Sequence, residues 1–277
     1  MQIRSSKLSY LTLNVAAWFM LLIIGVGVLA AAREIGRALQ RRDEASSFAA
    51  LAKARVAQQD WRGARQSVEQ AIESNPSIAP HIVNGMGTHL LTMPDALPKL
   101  DEAIVQLAKD NTSGRMLLAL ARLRILQART GEGQSLLERA AELGASEAWL
   151  PLGQIWLDQG DFEKARRSFE KYWSASEHSR KHYVDMLSPR HGSTSEMVLS
   201  AALHFFRLGL WSEAFETAQR LDSATVPEAA FFAAAQEDIE GDARAALKLY
   251  KSVAERLPAH VLTRRRLAFL STSESMD

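Results

Sequence analysis

Three histidines lie close together in the second half of the chain: His178, His182 and His191, with Glu177 and Asp185 beside them. His178 and His182 are four apart, so on a helix they share a face, the spacing at which two imidazoles hold a divalent metal. The segment that carries them, Ser174 to Ser195, is polar and contains Pro189, Arg190 and Gly192, so it reads as a solvent-exposed insertion and no metal is expected there. No Gly-rich phosphate cradle followed by Lys and Ser or Thr, no His-Glu-x-x-His pair and no Gly-x-Ser-x-Gly elbow occurs in the sequence. The chain has no cysteine, which excludes disulfides, cysteine metal sites and a lipidated amino-terminal Cys. The expectation is a protein with no catalytic residue, no cofactor and no metal, working through its surfaces.

Those surfaces must be built from helices. Trp149, Leu152, Gly153, Trp156, Gly160, Phe162, Ala165 and Phe169 outline two helices joined by a tight turn, with small residues where the helices cross and large apolar ones between them. The outline returns at Phe48, Leu51, Ala52, Asp60, Trp61, Ala64, Val68, Ala71 and Pro76. It returns again at Val198, Ala202, Phe205, Gly209, Trp211, Ala214 and Ala218, and at Ala230, Ala233, Ala234, Gly241, Ala246, Tyr250, Val253 and Pro258. Weaker copies run from His81 to Asn111 and from Leu117 to Leu143, giving six units that begin near residues 45, 81, 117, 146, 195 and 227. Turn residues agree: Gly-Asp at 160 and 241, Leu-Gly-Leu at 208 and Gln-Asp at 59 interrupt periodic apolar runs.

A period of about 34 residues built this way resembles the tetratricopeptide repeat family. The resemblance covers roughly residues 45 to 260 and implies an all-α solenoid with one continuous core. The second unit, where Pro94 and Pro98 crowd the turn and Gly85 and Gly87 replace large residues, is expected to be irregular. No alternating Val, Ile and Thr run argues for a sheet. A net charge of +1 gives no electrostatic case for nucleic acid, and the run Arg264, Arg265 and Arg266 reads as a solvated helix cap.

Leu11 to Ala32 carries no charge over 22 residues. At about 1.5 Å per residue it reaches about 33 Å, enough to cross a hydrocarbon core of about 30 Å. It is expected to be an uncleaved transmembrane helix after a tail at 1–10. The rival is a cleaved signal ending at Ala30, Ala31 and Ala32, but the apolar stretch exceeds the ~7 to 15 residues usual for a signal core. Residues 33–44 then form a helical connector, with Ile35, Ala38 and Leu39 on one side and arginines on the other, and 45–270 form the array, with an insertion at about 174–195 and a tail at 271–277. Arg33, Arg37, Arg41 and Arg42 after the span outnumber Arg4 and Lys7 before it, which favours a cytoplasmic array. A short basic leader, span and long domain is also the arrangement of exported bacterial signal anchors. The expectation is a single-pass inner-membrane protein with periplasmic repeats, the cytoplasmic orientation remaining open.

The resemblance implies that first helices line a groove for a protein partner. Counting along them, the inward-pointing residues include Lys53, Val56, Asn84, His89, Ile125, Leu150, Gln154, Leu157, Leu199, Leu203, Phe206, Phe231 and Asp238. Phe205 and Phe206 are adjacent, so one is expected in the core and Phe206 in the groove. Trp61, Trp149, Trp156, Phe162, Phe169 and Trp211 are expected to pack. Only Lys53 and Asn84 could serve the lysine–asparagine clamp by which some such proteins hold a carboxyl-terminal tail, so that ligand is not expected. The functional expectation is a membrane-anchored scaffold that assembles or stabilises a membrane-associated complex. A regulatory or substrate-capture subunit of a membrane enzyme is the alternative.

Overall fold

The structure, a computed structural model, describes residues 32–110, 113–190 and 192–273. The expected span therefore lies outside the described residues apart from Ala32, as do the tail at 1–10, His191 and residues 274–277. Among the described residues no strand occurs, and no helix is long and apolar enough to cross a membrane.

The chain divides into two compact units, one ending at Asn111 and the other beginning at Thr112, which corrects the expectation of a single continuous core. The amino-terminal unit holds α1 (32–57), α2 (Trp61–Ser74), α3 (Ala79–Met86) and α4 (Ala96–Asp110), with short 3-10 helices at Pro76–Ile78 and Gly87–Thr92. Its second pair is the irregular one: α3 is eight residues long and ends at Gly87, whose φ of 52° continues into the 3-10 helix instead of a tight turn. The carboxy-terminal unit pairs α5 (Gly114–Leu126) with α6 (Thr130–Glu142), and α7 (Trp149–Gln159) with α8 (Phe162–Ser174). It then pairs α10 (Ser195–Arg207) with α11 (Trp211–Ala218), and α12 (Ala229–Glu240) with α13 (Ala243–Arg256). Helix α9 (Glu177–Leu187) is interposed between the second and third of these pairs, and α14 (Val261–Ser273) follows the last.

One turn geometry joins five of the pairs. Gln59, Ala128, Gly160, Gly209 and Gly241 have φ of 61°, 59°, 82°, 72° and 100°. In each case the next residue donates its amide to the carbonyl five back: Asp60 to Arg55, Arg129 to Arg124, Asp161 to Trp156, Leu210 to Phe205 and Asp242 to Glu237. This is the left-handed helix terminus that satisfies orphan carbonyls. Three turns then start the next helix with an aspartate cap, Asp60 on the Gly63 amide at 2.9 Å, Asp161 on Lys164 at 3.0 Å and Asp242 on Ala245 at 2.9 Å. The left-handed residues at 128 and 160, and at 209 and 241, stand 32 positions apart. Repetition is thus visible in the backbone itself.

Ala128 holds that conformation with a β-carbon, which costs about 1–2 kcal/mol in an L residue, and its side chain is exposed, so trimming it loses no packing. Ala128→Gly is expected to stabilise the carboxy-terminal unit by up to about 1 kcal/mol after the entropy of glycine is charged against it. A urea midpoint unchanged or lowered relative to the parent chain would refute the strain.

Packing inside the pairs follows the small-against-large rule. At Gly153 a β-carbon would sit 2.5 Å from the ring of Phe169, so α7 and α8 meet at that distance only because residue 153 is glycine. Phe162, Phe169 and Trp211 are buried as expected, whereas Trp149 and Trp156 are half-buried and roofed by the ammonium groups of Lys171 at 4.0 Å and Lys164 at 4.3 Å. Trp61 is also half-buried. Trp173, not singled out in the sequence, is buried and donates its indole N–H to the Leu208 carbonyl at 2.8 Å, tying α8 to the end of α10.

Candidate functional site

The groove residues expected from the sequence separate into two groups. Lys53, His89 and Gln154 are exposed, and Val56, Asn84, Ile125, Leu150, Leu199, Leu203 and Asp238 are half-buried. In the amino-terminal unit the Lys53 ammonium, on α1, lies over the backbone of Gly85 on α3, 2.6 Å from where a β-carbon would be, beside Asn84. Leu157, Phe206 and Phe231 are a correction: their exposures are 1%, 0% and 0%, so none is on a surface.

Phe206 is buried because α10 is covered on two sides. It stacks on Trp211 of α11 at 5.6 Å between ring centroids and meets Phe162 of α8 edge-on at 5.8 Å. On the other side it meets Phe231 and Phe232 of α12 at 5.2 and 6.0 Å. Adjacent residues on a helix point about 100° apart, and here both directions are roofed, so Phe205 and Phe206 are both core.

Leu157 and Phe231 belong to the same apolar cluster, and Leu262, Leu267 and Leu270 of α14 pack against it. Helix α14 is held there by polar contacts. Arg265 pairs with Asp158, at the end of α7, at 2.7 Å. Arg266 donates to the Gly160 carbonyl at 2.7 Å and makes a fork to both oxygens of Asp238 on α12 at 2.6 and 2.7 Å. Its guanidinium also lies over the rings of Phe162 and Phe269, at 4.7 and 5.1 Å. The Tyr250 hydroxyl donates to the same aspartate at 3.0 Å, and burial together with the Asp238 charge pushes that phenol well above its ordinary range. Gly160 is required twice over: its φ of 82° is left-handed, and a β-carbon would come 2.7 Å from the Arg265 carbonyl. The reading of Arg264 to Arg266 as a solvated cap is therefore corrected at Arg266, while Arg264 and Arg265 are exposed. Arg266 is buried, because α14 turns back across the ends of α7 and α12.

At the start of α14 the His260 ring accepts from the Thr263 hydroxyl at 2.8 Å and from the Thr263 amide at 3.4 Å through Nδ1, an N-cap that needs the imidazole neutral. Burial holds His260 below the ordinary histidine range, with Glu228 opposing. In that situation the unfolded chain binds the proton more readily than the folded one. The stabilisation is complete above the unfolded pKa of about 6.5 and is lost as pH falls from there towards the lowered folded value. The unfolding midpoint is expected to drop between pH 7.5 and 5, and the drop to shrink in His260→Asn, whose amide caps without titrating. Equal drops in both proteins would dismiss the cap as pH-sensitive.

In the histidine segment 177–187 is a helix with no buried residue, fixed by the Arg180–Glu213 pair at 2.7 Å and by Tyr183 meeting Trp173 edge-on at 5.9 Å. His178 and His182 lie exposed on it, and among the described residues no group of three or more His, Asp or Glu is placed to hold a metal.

Fold and surface together define an all-α helical-repeat protein. No protein-family model and no curated protein matches the chain. Solved structures do resemble it. One is pilF of Pseudomonas aeruginosa, at 14% identity over 83% of this chain and 99% of that one, with a TM-score of 0.44. Another is a tetratricopeptide repeat protein from Parabacteroides merdae, at 13% identity over 82% and 98%, with a TM-score of 0.38. A third is MamA, at 16% identity over 60% and 89%, with a TM-score of 0.35.

Proposed function

We propose that this protein is a membrane-tethered scaffold: residues 11–32 span the inner membrane, 33–44 form a helical stalk, and the helical pairs of 45–270 hold protein components of a membrane-associated complex in the periplasm. The observation that carries the reading is α1. It is one unbroken helix over 32–57, and every residue from 32 to 44 is exposed, so the chain leaves the repeat body as a free-standing rod directly after the apolar stretch. A rod of that kind sets a soluble body off from a surface. Lys53, Asn84 and His89 in the amino-terminal unit, and Gln154, Leu199 and Leu203 in the carboxy-terminal one, are the accessible side chains through which partners are bound.

Two measurements test it. Protease added to sealed spheroplasts should digest the repeats without lysis; digestion only after lysis overturns the periplasmic assignment. Affinity capture from solubilised membranes should lose specific co-purifying proteins when exposed Lys53 and Gln154 are changed to Glu and Arg, with thermal stability kept. Identical partner profiles from parent and variant would count against these surfaces.

A further inference from the structure

The amino-terminal unit carries two features that complement each other and do not meet within one chain. The first is the free rod of α1: Ile35 and Leu39, 61% and 56% exposed, form with Ala38 an apolar stripe at i, i+3, i+4 spacing that ends at Arg42, with Arg41 flanking it. The second is a cleft of about 620 Å³ between α2 and α4. Its floor is Ile72, Ala103 and Leu107, and its lining carries Glu69, Glu73 and Glu102 with Lys99, while Arg65 lies 3.6 Å from Glu69 and Lys109 donates to Gln106 at 3.3 Å. Lys99 is shared between Glu69 at 3.4 Å and Glu73 at 3.7 Å and Glu69 also has Arg65, so the negative charge left to the rim is that of Glu73 and Glu102. The cleft also lies against the last turn of α2, where free carbonyls add negative potential.

An apolar stripe finished by a guanidinium thus matches an apolar floor finished by carboxylates. The rod cannot reach its own cleft. The turn at 58–60 sends α2 back along α1 so that it ends about level with residue 44, leaving 32–44 to project roughly 20 Å beyond, straight and exposed.

We infer that the occupant of the α2–α4 cleft is residues 35–42 of a second copy of this chain. Ile35 and Leu39 enter the floor, and Arg41 and Arg42 meet Glu73 and Glu102. Reciprocal exchange about a two-fold axis closes a dimer, whereas one-way insertion would run on as an open chain. The inference extends the scaffold reading, since tethering in one membrane confines both copies to a plane and raises their effective concentration.

Because the chain has no cysteine, introduced pairs report unambiguously. Two differently tagged full-length copies, one with Leu39→Cys and one with Gln106→Cys, are co-expressed and oxidised in membranes. A mixed-tag disulfide dimer that requires both cysteines is expected. Its yield should fall about tenfold when Glu73→Arg and Glu102→Arg are added to the cleft copy, and recover when Arg41→Glu and Arg42→Glu are added to the rod copy. No mixed dimer, a dimer from Leu39→Cys alone, an equal yield with Glu255→Cys in place of Gln106→Cys, or quenching of a fluorophore on Leu39→Cys by brominated lipid would each overturn the inference. Resistance to alkaline carbonate extraction reads the membrane anchor separately, so loss of the one does not imply loss of the other.

Discussion

Arg266→Ala is expected to cost the carboxy-terminal unit about 3–5 kcal/mol, the penalty of leaving a buried charge without its partner. Asp238 would be that charge: the side chains of Arg266 and Asp238 are 10% and 5% exposed, and after the substitution only the Tyr250 hydroxyl would still donate to the carboxylate. The Gly160 carbonyl and the faces of Phe162 and Phe269 would lose their cation as well. Arg266→Lys should recover little, because a single ammonium cannot reproduce two parallel N–H bonds to the carboxylate and a third to a carbonyl. The double replacement Arg266→Met with Asp238→Leu should return most of the loss, since neither residue is then a buried unpaired ion. Urea unfolding followed by tryptophan fluorescence gives all three values. If Arg266→Ala lowered stability by no more than an exposed ion-pair deletion, ~1 kcal/mol or less, α14 would not be locked as described.

Phe206→Ala is expected to cost about 3–5 kcal/mol, the range for emptying a large aromatic site in a packed core. The ring touches Phe162, Trp211, Phe231 and Phe232, which belong to three other helices, so collapse around the vacancy would require several helices to move together. Leu203→Ala, at a half-buried position on the same helix, should cost less. The pair separates a core role from a partner-contacting role at residue 206. A Phe206→Ala chain with unchanged thermal midpoint but impaired partner capture would restore Phe206 to the surface and contradict its burial.

Much of the local structure was legible in the sequence because it depends on neighbouring residues. Gly160–Asp161, Gly241–Asp242 and Gln59–Asp60 each combine a left-handed terminus with a capping carboxylate within two positions, and the structure has both at all three. Ala128 escaped notice because alanine carries no mark of left-handed backbone; only the matching amide bond from Arg129 to Arg124 reveals it. The close approach at Gly153 was likewise readable, since a small residue between aromatics on paired helices has few other uses. In the histidine segment Pro189, Arg190 and Gly192 pointed to a solvent-exposed insertion, while the contacts that order residues 177–187 as a helix, to Trp173 and Glu213, lie outside it.

The amino-acid sequence by itself determined the helices, most of their turns and the small-against-large crossings inside each pair, since helical periodicity and capping operate over a few residues. Which faces remain open was decided only by tertiary structure. Leu157 and Phe231 carry the same pattern whether or not further helices close over their cluster, and one that packs against it, α14, is brought back by Arg265 to Asp158 across 107 positions and by Arg266 to Gly160 across 106. A periodic pattern tells which side of a helix is apolar. What lies against that side depends on pairings of distant residues, which the repeat period does not encode.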